Sequence, residues 1–184
     1  MTMIDPAIVP QRTLYTGAKM PAVGMGTFGS DHADADAVSA SVAGALRVGY
    51  RSFDCAACYG NEDMIGKIFA DAFAEGIVKR EELFIASKVW NDMHGDGDVL
   101  IACAKTLKDL KLDYLDMYYV HWPFPNYHAP HCDVDSRNPD SKPFTVERFM
   151  KTWRQMERLV DMGLTKHIGM SNICLLYTSP SPRD

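Results

Sequence analysis

The chain has 184 residues, 47% of them hydrophobic and 23% charged, with a net charge of −5. This is the composition of a globular domain with one core. No basic stripe marks a nucleic-acid binder, no apolar run reaches membrane-span length, and the opening MTMIDPAIVPQR lacks the basic-then-apolar pattern of a secretory signal.

Residues 14–19 read as a hairpin with its turn at Gly17. Residues 23–28 form a short Gly-rich strand. A helix over 36–48 aligns Val38, Val42, Ala45 and Leu46 on one face, and a strand follows over 50–54. The pattern repeats three times. A helix over 61–74, with Ile65, Phe69, Ala72 and Phe73 aligned, leads to a strand over 83–89. A helix over 99–110, with Val99, Cys103, Leu107 and Leu110 aligned, leads to a strand over 114–121. After a Pro-rich loop, a helix over 146–162 aligns Phe149, Trp153, Met156 and Val160, and a strand covers 166–171.

Strictly alternating strands and helices make right-handed βαβ units around a parallel sheet. An open doubly wound sheet and a (β/α)₈ TIM barrel both fit this alternation. The polar residues favour the barrel. Thr27, Asp54, Lys88, His121 and the Ser171–Asn172 pair each fall at the C-terminal end of a predicted strand. A barrel gathers such residues at one rim, whereas an open sheet would spread them along an edge.

The segments MPAVGMGTF (20–28), FDCAACYGNE (53–62), ASKVW (86–90), YLDMYYVHWP (114–123) and GLTKHIGMSN (163–172) resemble the aldo-keto reductases, in order and over nearly all of residues 13–172. The resemblance implies a (β/α)₈ barrel whose bottom is closed by the hairpin. It implies hydride transfer between a nicotinamide cofactor, NADP(H) or NAD(H), and a small aldehyde, ketone or alcohol. Residue by residue, it makes Tyr59 the proton donor, with Lys88 lowering its pKa and Asp54 holding the lysine. His121 would orient the substrate carbonyl. Ser171 and Asn172 would contact the nicotinamide carboxamide, and Gly26, Thr27, Phe28 and Asp54 would line the cofactor side. Phe28, Trp90, His121, Trp122 and Phe124 would form an apolar substrate pocket.

The chemistry is coherent on its own. Hydride delivery to a carbonyl leaves an alkoxide that needs a proton. A free phenol, with a pKa near 10, is a reluctant donor. An adjacent ammonium favours the phenolate, a carboxylate keeps the lysine charged, and an imidazole N–H stabilises the oxygen where charge develops.

The chain departs from the family in two places. Cys55 stands where Thr is common. Three further βα units of the barrel, including the segment that grips the adenosine phosphate, have no counterpart. Residues 1–174 read as a partial domain after about five βα units. Residues 175–184, ending in SPSPRD, read as a non-native tail. An inactive fragment, or a non-enzymatic relative that binds NADPH as a redox sensor, is the alternative reading, though such a relative has no need of all four site residues.

Other motifs give way to these. Gly24–Gly29 matches G-x-G-x-x-G, but polar residues delay the following helix, where a phosphate would need its N-terminus directly. Tyr15 and Lys19 have the spacing of a reductase Y-x-x-x-K pair, but Gly17 denies them a helix. Cys55 and Cys58 form a C-x-x-C without the setting of a redox dithiol. His128, His131, Cys132 and Asp133 read as loop surface, with no metal expected. Five scattered cysteines fit a reducing cytoplasm. A monomer is expected, without nucleic-acid or membrane partners.

Overall fold

The computed structural model describes residues 4–29, 32–128 and 137–173. Strands β1 (Gln11–Thr13) and β2 (Lys19–Pro21) pair antiparallel, with Thr13 opposite Lys19. They flank the turn predicted at Gly17, whose φ of 87° is the left-handed conformation that favours glycine.

Five parallel strands follow in sequential order: β3 (Met25–Gly26), β4 (Ser52–Asp54), β5 (Phe84–Val89), β6 (Leu115–Val120) and β7 (Thr165–Met170). Helices α1 (Ala35–Val48), α2 (Glu62–Ala74), α3 (Asp98–Leu110) and α4 (Val146–Asp161) connect them and layer against one face. The arrangement is that of a (β/α)₈ barrel with its N-terminal hairpin, represented by five of its strands.

Two predicted elements differ. Strand β3 has two residues instead of the six read over 23–28, and only Met25 and Gly26 pair, with Phe53 and Asp54. Among the described residues β3 has a sheet partner on one side alone, and its one glycine, Gly26, offers no side chain to pack. In α4 the buried stripe is Thr152, Met156 and Leu159, while Val160 stays 38% exposed. Of the predicted face, Met156 is buried and Phe149 and Trp153 pack on the core from its edge, while Thr152, beside them, donates its hydroxyl to the His94 carbonyl at 3.3 Å.

Helix α1 starts where Asp34 accepts from the Ala37 amide at 2.8 Å and ends at Gly49, φ 108°. A side-chain carboxylate therefore already occupies the helix N-terminus that a phosphate would need.

Alternation divides the sheet. In β5, Ile85, Ser87 and Val89 face the helices, and Phe84, Ala86 and Lys88 face the opposite, inner side. At the N-terminal ends of the strands, Leu14 and Met20 from the hairpin segment pack on Phe84, Ala86 and Met117. A cavity of about 720 Å³ lies there, between the N-terminal segment and the strand ends. Asp116 stands in its wall, accepting from Ile85 N (2.9 Å), Arg80 (2.8 Å) and Lys166 (3.0 Å).

Candidate active site

The opposite, C-terminal ends of the strands carry the chemistry. Parallel register aligns Asp54 with Ala86 and Lys88 with Tyr119, so β4, β5 and β6 deliver Asp54, Lys88 and His121 to one rim. His121 extends the ladder by donating its backbone N–H to the Val89 carbonyl at 3.1 Å. Tyr59 comes from a short 3₁₀ turn, Ala57–Tyr59, closed by Gly60 at φ 66°.

Lys88 is 5% exposed. Its ammonium lies 2.7 Å from Asp54 Oδ1, donates to the Cys55 carbonyl at 2.8 Å, and donates to the Tyr59 hydroxyl at 3.4 Å. It is thus a buried cation with three oxygens around it, one of them a phenol.

His121 completes the group. Its ring meets the Tyr59 ring edge-on at 5.9 Å and the Trp90 ring at 4.9 Å. Burial first, then the nearby Lys88 charge and His128, push its pKa down to about 3. The imidazole is therefore neutral at physiological pH, with one ring N–H available as a donor.

The pocket residues read from the sequence fall along one chain of ring contacts, in which His128 stacks on Trp90 at 6.0 Å and so joins it to Trp122. Phe28, 52% exposed, packs on Tyr59 with ring centroids 5.0 Å apart, and buried Trp90 lies against His121. Trp122 meets His128 edge-on and stacks on Tyr127. Phe124 sits in an outer cluster with Tyr127 and Phe144.

On the expected cofactor side, Thr27 is fully buried, and both its amide and its hydroxyl donate to the Asp54 carbonyl at 3.1 Å. Gly26 has no atom within 4 Å of where a Cβ would project. Ser171 donates its backbone N–H to Val120 O. Asn172, left-handed at φ 53°, uses its amide nitrogen to bond the His121 carbonyl at 2.8 Å.

Three neighbours were not read as site residues from the sequence. The Cys58 thiol lies 3.5 Å from His121 Nδ1. Asn61, 3% exposed, donates to the Thr27 carbonyl at 2.9 Å. Glu62, 4% exposed, accepts from the Ser87 and Thr106 hydroxyls. A signal for the last was present, because Glu62 stands three residues before Ile65 and seven before Phe69, on the apolar stripe of α2.

The C-x-x-C pair is no dithiol centre. Cys55 is fully buried, its thiol pushed far up by that burial, while Cys58 turns to His121. His128 is buried, and among the described residues neither ring nitrogen has a hydrogen-bond partner. His131, Cys132 and Asp133 lie outside the described residues, as does the segment read as a tail.

A model of the aldo/keto reductase family matches residues 22–176. The chain belongs to this family. It is 46% identical over 162 residues to an aldo/keto reductase of Synechocystis sp., covering 88% of this chain and 48% of that protein. An NADP-dependent D-sorbitol-6-phosphate dehydrogenase of Malus domestica is 38% identical over 180 residues, covering 92% and 56%. Among solved structures, a Bombyx mori aldo-keto reductase in complex with NADP matches with a TM-score of 0.77 at 35% identity, covering 90% of this chain and 51% of that one. The chain spans about half the length of the curated relatives it matches.

No described helix of this aldo/keto reductase chain is long and apolar enough to cross a membrane.

Proposed function

We propose that the protein to which this chain belongs reduces the carbonyl of a small aldehyde or ketone with NADPH, and runs the reverse alcohol oxidation. The carrying observation is the line Asp54–Lys88–Tyr59, in which one buried ammonium touches both a carboxylate and a phenol. Tyr59 donates the proton, Lys88 stabilises the phenolate left behind, and Asp54 balances the lysine. Neutral His121 donates to the carbonyl oxygen and orients it. Phe28 and Trp90 supply apolar walls beside the reacting atoms.

The rim fits a nicotinamide. The Ser171 hydroxyl and the exposed Asn172 amide suit a carboxamide, and the open space at Gly26 admits a ring close to the backbone. When bound, the cofactor supplies the hydride. The carbonyl carbon accepts it, the C=O π pair moves to oxygen, and the alkoxide takes the Tyr59 proton, which solvent later restores. The family match and the NADP held by the silkworm relative support this cofactor.

The test is NADPH oxidation by the full-length protein with 4-nitrobenzaldehyde, alongside Tyr59→Phe. The variant should lose about 10²–10⁴-fold in kcat, as expected for removal of a general acid, while its NADPH affinity persists. A variant within tenfold of the parent would remove Tyr59 from this role.

A further inference from the structure

We propose that Glu62 is a positioning residue that fixes the Tyr59 hydroxyl against the Lys88 ammonium. This inference rests on the role assigned to Tyr59 above.

The turn that carries Tyr59 is closed by its own backbone, the Tyr59 N–H donating to the Ala56 carbonyl at 3.0 Å and the Gly60 N–H to the Ala57 carbonyl at 3.4 Å. Neither this 3₁₀ turn nor the start of α2 has a side-chain cap. The residues that follow tie the turn to the rest of the fold. Asn61 ties the chain to the Thr27 carbonyl beyond β3. Glu62 then reaches across to β5, where its Oε1 accepts from the Ser87 hydroxyl at 2.6 Å, and to α3, where its Oε2 accepts from the Thr106 hydroxyl at 3.0 Å. Ser87 and Lys88 are successive residues that point to opposite faces of β5. The carboxyl therefore grips the strand from the helix side one residue away from the lysine that meets Tyr59 on the inner side.

The choice of residue is costly if it serves packing alone. Among the described residues no cation is bonded to Glu62. Cys55, Cys103 and Tyr118 surround it from the core, and the Lys105–Asp109 pair and Asp63 stand further out. Burying a carboxyl is unfavourable, and an apolar residue of similar volume fills such a site at lower cost. What the apolar residue lacks is direction. Two hydroxyl bonds, to two different elements, set the rotation of the first turn of α2 and with it the reach of Tyr59.

The experiment uses the full-length enzyme with Glu62→Ala, Glu62→Gln, Ser87→Ala and, as control, Tyr59→Phe. The readouts are kcat, KM, the pH profile of kcat, NADPH affinity by fluorescence quenching, and Tm. Glu62→Ala and Ser87→Ala should lower kcat by about tenfold to a hundredfold, the scale of a small misplacement of a reacting group. They should move the pH limb assigned to Tyr59 and leave KM and NADPH affinity nearly unchanged. Glu62→Gln should restore both kcat and the limb, because a neutral amide can still accept from one hydroxyl and donate to the other. If Glu62→Ala does not fold, Ser87→Ala decides. Parental kcat and pH limb in Ser87→Ala, whatever its Tm, would overturn the proposal. So would a Gln variant as impaired as the Ala variant. An active Tyr59→Phe would instead overturn the assignment of the proton donor, and the two failures are therefore told apart.

Discussion

The Lys88 ammonium lies 2.7 Å from Oδ1 of Asp54, with the lysine side chain 6% exposed and the carboxylate 51%. The pair straddles the boundary between core and rim. Water screens the carboxylate end, so the pair's worth to folding is small, while its field still acts on the buried end where Tyr59 stands. Asp54→Asn should change folding stability by less than about 1 kcal/mol. It should lower kcat markedly, though by less than the about 10²–10⁴-fold expected for removing the acid itself. Urea unfolding and steady-state kinetics on the same preparation check both halves.

Stability should fall on the acid side of neutrality. Burial pushes His94 down to about 4, and burial with the neighbouring Lys88 and His128 pushes His121 down to about 3. The unfolded chain protonates both near pH 6.5, whereas the folded chain does not. Their contribution is therefore intact above about 6.5 and is lost as pH falls towards 4 and then 3. Glu62 works in the opposite sense. Burial raises its pKa, so the folded carboxyl keeps its proton where the unfolded one has shed it, and its contribution is lost as pH rises above the unfolded value. Two imidazoles outweigh one carboxyl, so Tm should drop between pH 6.5 and 4.5, and more steeply in Glu62→Gln. Thermal melts at constant ionic strength across that window measure it. A flat Tm would mean that the two imidazoles protonate in the folded protein.

Asp116 should be the costliest single charge to remove. It satisfies the Ile85 amide and the partly buried Arg80 at once, with Lys166 on its second oxygen; Arg80 and Lys166 also lie 4.0 and 4.3 Å from the Tyr114 ring centroid. Asp116→Ala strands a buried amide and a guanidinium, and should cost about 3–5 kcal/mol. Asp116→Asn, which still accepts, should cost less. Urea midpoints with an unchanged m-value check it.

Much of this could be read from the sequence, for physical reasons. The faces of α1, α2 and α3 follow from a 3.6-residue period, and the C-terminal positions of Asp54, Lys88 and His121 follow from the strand boundaries. Sequence patterns could not show the two-residue extent of β3, because strand length depends on partners. Nor could they place Tyr59, whose 3₁₀ turn leaves no periodic trace. Cys58 reads as a loop cysteine until the fold brings His121 beside it. In α4 the period found Phe149, Trp153 and Met156, but a count of apolar residues could not show that Thr152 is buried and that Val160 is not.

The thiols should react unequally. Cys55 and Cys103 are buried, and burial pushes both up, Cys103 to about 12. Cys58 is half-buried at the rim. Brief treatment of the native protein with N-ethylmaleimide, read by peptide mass spectrometry, should label Cys58 and spare the other two until denaturant is added. Early labelling of Cys55 or Cys103 would contradict the packing described for them.

The sheet order β3-β4-β5-β6-β7 is also the order of synthesis. Among the described strands, each after β3 pairs with the one made just before it, across a single helix, so these four pairings follow the order in which the chain emerges. At about 5–20 residues per second, the ribosome releases Asp54, Tyr59, Lys88 and His121 in succession, each onto a strand already present. These four side chains can thus come together vectorially during translation.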